Sequence, residues 1–214
     1  MRKIAFTFIA LLFTGMAFAQ NAAYEKAMKS IVDDIHGTTP GQASFIPLAN
    51  KMARIAEAET DEWLPSYWLA YCYTMESFTV TGADEKDQLL EQAKTYLDKA
   101  EKLNPESDEI EVMKANWASA MLTVDPMNRW QTYGPKFSTA LTKAESLNSE
   151  NPRVYYLKGT NLFYTPENYG GGKKKAEAQF ELALEKFNKF VAPSDIDPNW
   201  GKEAAAYFLS LCQQ

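Results

Sequence analysis

The run Gly170-Gly171-Gly172-Lys173 is the first place to look for chemistry, because glycines ahead of a lysine can cradle a phosphate. A nucleotide loop needs a further glycine separated by four residues from its Gly-Lys, a Ser or Thr after the lysine, and a preceding strand. Here Lys174 follows the lysine, Pro166 stands at or beside the place of the first glycine, and the upstream stretch has helical spacing. Those departures exclude an ATP site. A weaker chemistry survives: glycine backbone entering a helix whose first turn carries Lys173, Lys174 and Lys175 can hold a phosphate, sulfate or carboxylate through free N–H groups. Positive side chains there oppose the helix dipole. The alternative is a tight turn in which Glu167 pairs one lysine and Tyr169 folds onto the hairpin.

Other reactive constellations are missing. His36 is the single histidine, and beside Gly37 at a helix end it reads as a C-terminal capping group. Cys72 and Cys212 are far apart, no carboxylates have calcium-loop spacing, and no Ser or Cys has a histidine to activate it. Acidic pairs are plentiful at helix-surface spacing and read as solvated faces. No catalytic residue, metal or cofactor is predicted, and the two cysteines are read as free thiols. A bridge between them would join the first half of the chain to its far end.

The elements that must position these groups are helices. Residues 22–35 have a buried stripe at Ala23, Ala27, Met28, Ile31 and Ile35, and a second helix follows from near Phe45 to Glu59, with Pro47 in its first turn. Next come 61–77, 89–103, 109–122, a helix opened by Pro135 and running to Leu147, then 151–164 and 173–187. The stretches 79–87 and 124–130 read as long loops, 190–199 as a linker, and 200–212 as a capping helix.

The segment LDKAEKLNPES at 97–107 matches LTKAESLNSEN at 141–151 in seven of eleven columns, at an offset of 44 residues. Ala176, Phe180 and Ala183 repeat the same spacing again. Such a two-helix unit leaves an apolar face that only its neighbour can cover. Four hairpins and a cap account for the chain, making the predicted fold class all-α, a superhelix of stacked α-α hairpins.

Before residue 20 the pattern differs. Arg2 and Lys3, the apolar run Ile4–Phe18 and Ala17-Phe18-Ala19 read as a signal peptide cleaved after Ala19, leaving 20–214 as one solenoid domain. Its removal takes the formal net charge from −6 to about −8, a balance that disfavours nucleic acid and anionic surfaces as partners. No second apolar stretch is long enough to span a bilayer.

Ala93, Leu97, Ala100 and Pro105, with the bulky–small pairs Trp68/Cys72 and Tyr155/Gly159, resemble the tetratricopeptide repeat (TPR) family. The units are longer than that family's usual ones and the first hairpin matches weakly. The resemblance covers most of 61–187 and looks closest to exported helical repeat proteins of the Bacteroidetes. It implies a binding scaffold without catalytic residues, facing the periplasm or the outside.

The first helix of each hairpin is rich in rings, and aromatic side chains along a concave face suit a peptide, a partner helix or an apolar small molecule. Trp68, Tyr71 and Tyr155 are expected between units. Tyr67, Trp117, Tyr156 and Lys158, with Lys173 and Lys174, are the predicted partner-binding residues. The expected function is an exported scaffold for a protein or peptide; the alternative is a solute-binding accessory of a transport system, with Arg129 or Arg153 facing the solute.

Overall fold

A computed structural model describes residues 22–214, so the predicted signal peptide lies outside the described residues. Among the described residues nine α-helices follow one another: α1 (22–36), α2 (Ile46–Ala58), α3 (Leu64–Ser77), α4 (Ala83–Leu103), α5 (Asp108–Val124), α6 (Pro126–Leu147), α7 (Pro152–Tyr164), α8 (Lys173–Lys189) and α9 (Lys202–Cys212). Among the described residues there is no strand, only an isolated bridge between Pro40 and Ala43. No described helix is long and apolar enough to cross a membrane.

Helices α3/α4, α5/α6 and α7/α8 pair as antiparallel hairpins, α1 and α2 precede them, and α9 lies on α8. The stacking follows from side-chain size. On the second helices, Ala93, Leu97 and Ala100, then Phe137, Leu141 and Ala144, then Ala176, Phe180 and Ala183, are all buried. Gly159 of α7 is the clearest small position: a Cβ there would sit 2.6 Å from the Phe180 ring. The bulk of one helix therefore occupies the space its partner leaves empty.

Hairpin ends are tied by polar groups that satisfy helix termini. The N-cap residue of α2, Phe45, has no side chain able to cap it; Ser44 Oγ accepts from Ile46 N at 3.1 Å, and buried Glu76 of α3 completes the end, accepting from Phe45 N at 2.6 Å and Ser44 Oγ at 3.0 Å. Lys99 Nζ donates to Ala56 O at 3.0 Å at the far end of α2, where free carbonyls favour a cation.

Two helices begin earlier than predicted. Helix α4 starts at Ala83 rather than Leu89, with Asp84 and Glu85 at its positive end. Helix α6 starts at Pro126, capped by Asp125 accepting from Asn128 N at 3.2 Å. Both predicted loops are thus partly helix. Pro135 lies inside α6, where it costs the Gln131 carbonyl its helical donor. The bidentate pair between Arg129 and Asp87, at 2.6 Å for each bond, holds these early turns together.

The predicted linker is the largest correction. Residues 190–200 form a strap that runs from hairpin α7/α8 back to α3. Trp68 Nε1 donates to Ile196 O at 2.8 Å, and Trp200 Nε1 donates to the Tyr67 hydroxyl at 2.8 Å. The Trp200 ring packs 5.2 Å from that of Tyr71, and Lys29 of α1 pairs with Asp195 at 3.5 Å.

Candidate functional site

The end of the stack where α7, α8 and α9 meet concentrates exposed rings. Tyr164 closes α7 and is 72% exposed; Tyr207 on α9 is 60% exposed. Between them Phe208 is half-buried, its ring 6.0 Å from Tyr164, 5.7 Å from Tyr207 and 5.3 Å from Phe163. Beneath, Phe208 stacks on Phe180 at 5.5 Å with an interplanar angle of 11°. The aromatic floor is therefore continuous with the core, while its outer edge is open to solvent.

The glycine loop brings lysines to that edge. Gly170, Gly171 and Gly172 donate their N–H groups to Glu167 O, Pro166 O and Leu162 O. All three amides are spent inside the turn, so the glycines form no anion cradle. Gly171 is required by space: a Cβ there would lie 2.0 Å from Thr165 O. Gly170 and Gly172 take φ values of 91° and 105°, a region open to glycine. Tyr169 does not fold back and is 79% exposed. This turn sets the start of α8 beside Thr165, next to Tyr164. Lys173 lies close enough to Cys212 of α9 to bear on its thiol, whose pKa burial raises. Lys173 and Lys174 are exposed, and neither forms an ion pair or hydrogen bond within the described residues. Lys175 is held by Gly170 O at 2.8 Å.

The other predicted site residues are engaged elsewhere. Tyr67 is fully buried and accepts from Trp200, and desolvation raises its pKa well above the usual phenol value. Trp117 is buried, donating from Nε1 to Leu90 O at 2.9 Å. Neither ring presents a face to an outside partner, because the strap and the neighbouring hairpin have taken it. Tyr156 is half-buried beneath Phe208, at 6.5 Å, and beside Trp200, at 6.2 Å; burial raises its pKa too. Lys158 pairs with Glu145 at 2.8 Å on a different flank.

The fold has a counterpart of known structure. The HusA haemophore from Porphyromonas gingivalis matches with a TM-score of 0.79 and 36% sequence identity, over 91% of this chain and 94% of that one. The chain belongs to the HusA family. No protein-family model matches it, and no curated protein matches it in sequence. The shared extent with HusA leaves no whole hairpin outside the match.

In this HusA relative the single histidine stands exposed at the C-terminal end of α1. His36 packs edge-on against Trp68 at 5.5 Å, and burial lowers its pKa. Among the described residues, no three His, Cys, Asp or Glu side chains converge as metal ligands. Cys72 is buried, its thiol pKa raised by desolvation, and Cys212 is half-buried; both are free. Arg153 is fully buried and paired with Glu109, and Arg129 is committed to Asp87, so neither arginine faces an open solute site.

Proposed function

We propose that this protein is an exported, non-enzymatic binding protein that takes a flat, apolar ring bearing carboxylates, of the haem or porphyrin type, on the end face of α7, α8 and α9. The observation that carries this is the juxtaposition of the open rings of Tyr164, Phe208 and Tyr207 with the two unpaired lysines, Lys173 and Lys174. Aromatic faces supply stacking area for a planar ligand. Lysines at the rim suit its carboxylates through charge-assisted hydrogen bonds. The kinship with a haemophore points the same way. Because His36 is packed on Trp68, ring stacking rather than histidine ligation is the basis of affinity, and a metal-free porphyrin should bind about as well as its iron complex.

The test is a titration of the purified chain with hemin and with protoporphyrin, followed by the Soret band and by quenching of tryptophan fluorescence. Saturable binding of both, weakened by Tyr164→Ala with Tyr207→Ala and by Lys173→Glu with Lys174→Glu, supports the site. Binding that survives both double variants, or that is lost in His36→Gln, overturns it.

The hairpins are read as TPR-like, on the bulky–small pairs and on the seating of Phe180 over Gly159. In that setting the concave face would ordinarily receive a peptide. The strap 190–200 lies against Tyr67, Trp68 and Tyr71, so a protein or peptide scaffold is the less supported reading. Release into the periplasm or beyond rests on the N-terminal sequence pattern.

A further inference from the structure

A groove of about 510 Å³ runs along the flank of the last two hairpins, between α6 on one side and α7 and α8 on the other. Its chemistry is graded from end to end. Phe137 and Leu141 of α6, Leu162 of α7 and Leu182 of α8 make an apolar trough, and Glu145 and Lys158 close one end with their 2.8 Å ion pair. From Phe137 to Glu145 is eight residues of one helix, roughly 12 Å at the rise of an α-helix. At the charged end Lys158 also lies over the Tyr155 ring, at 5.2 Å. An ammonium has three donors, and Glu145 uses one. One turn along α7, Asn161 lines the same wall, with Gln179 opposite. Neither amide side chain makes a hydrogen bond within the described residues.

We infer that this groove is a second binding site, separate from the end face, for an amphipathic monocarboxylate of the medium-chain fatty acid type. The apolar body lies along Phe137, Leu141, Leu162 and Leu182, and the carboxylate takes the free donors of Lys158 and Asn161. A tail of roughly 12 Å runs the length of the trough, and its carboxylate takes the ammonium donors of Lys158 that Glu145 leaves free.

The experiment is a calorimetric titration of the full chain with decanoate, repeated with decanol and with saturating protoporphyrin present. Saturable binding of one decanoate per chain is expected, weakened about tenfold by Lys158→Met through loss of a charge-assisted hydrogen bond. Leu182→Glu, at a half-buried rim position, should weaken it at least as much, and Val191→Ser, on the exposed strap, should leave it unchanged. Circular dichroism checks that each variant is folded. Absence of saturable binding to the wild type, indifference to both groove variants, or equal binding of decanol overturns the inference. Displacement by protoporphyrin also overturns it, by placing decanoate on the end face. Failure to bind porphyrin at all bears only on the end face and leaves the groove standing.

Discussion

Arg153 of α7 and Glu109 of α5 are equivalent residues of successive hairpins, 44 residues apart, that pair with each other inside the protein. The helix caps show the equivalence: Ser107 caps α5 and Asn151 caps α7 at the same offset. Arg153 Nε donates to Glu109 Oε2 at 2.8 Å, Nη2 donates to Oε1, and Asn151 Nδ2 adds a bond to Oε1 at 2.8 Å. The guanidinium lies 4.5 Å over the Phe190 ring. Burial pushes the Glu109 carboxyl up, and Arg153 opposes that shift. Removing one partner leaves the other as a buried unpaired charge, so Arg153→Met is expected to destabilise by about 3–5 kcal/mol. Adding Glu109→Leu to it should recover most of that loss. Urea unfolding of the two variants checks the pair. A single substitution costing under about 1 kcal/mol would assign the pair to the surface class.

Trp200 fastens the strap, touching Tyr71 and donating to Tyr67. Trp200→Ala empties a ring-sized space and should cost about 3–5 kcal/mol. Trp200→Phe keeps most of the packing but loses the hydrogen bond to the Tyr67 hydroxyl, for about 1 kcal/mol. If the strap closes the stack, both variants also expose amides at 190–200 to faster hydrogen exchange. Exchange unchanged in Trp200→Ala would show that the strap is held without it.

How much of this was legible in the sequence follows from the range of each interaction. Hairpins and their order were readable because the Ala–Leu–Ala and Ala–Phe–Ala stripes and the 44-residue offset are local patterns. The start of α6 was not, because Pro135 looks like a helix opening while Asp125-Pro126 offers an equally good one nine residues earlier. The rings were hardest. Tyr67 and Trp68 meet Trp200 and Ile196 across sequence separations of 133 and 128 residues, and helical spacing says nothing about a distant irregular segment returning to cover a face. Lys173 and Lys174 were identifiable as cations opposing a helix dipole. The rings that accompany them, Tyr207 and Phe208, belong to α9, whose place as a cap on the last hairpin was readable but whose ring contacts with Phe163 and Phe180 no local pattern reports.

Two glycines test how tightly the last hairpin is packed. A Cβ at Gly159 meets the Phe180 ring at 2.6 Å, and one at Gly171 meets the Thr165 carbonyl at 2.0 Å. A ring can tilt and a backbone oxygen cannot. Gly159→Ala should therefore cost about 1–3 kcal/mol as ordinary overpacking, and Gly171→Ala more, with the turn at 165–172 displaced. Thermal unfolding ranks the two. The reverse order would mean that the turn adjusts more freely than the core.

His36 should leave a mark on stability against pH. Its folded pKa is lowered, first by burial and to a lesser degree by Lys29, while Asp33, Glu203 and a hydrogen bond to Asn199 pull it upward. Well above pH 6.5, its ordinary value, the ring is neutral in both states and contributes no pH dependence. Below that value the unfolded chain takes up a proton that the folded ring against Trp68 resists. Stability contributed by the neutral ring is therefore lost as pH falls below about 6.5 towards the lower folded pKa, and the loss is small because His36 is an exposed residue. His36→Gln removes the titration. Unfolding midpoints of the two chains should run parallel above pH 7 and diverge below about pH 6.5, with the wild type falling faster. Parallel curves throughout, or a wild type that gains on the variant as acid is added, would mean that the contact with Trp68 does not resist protonation.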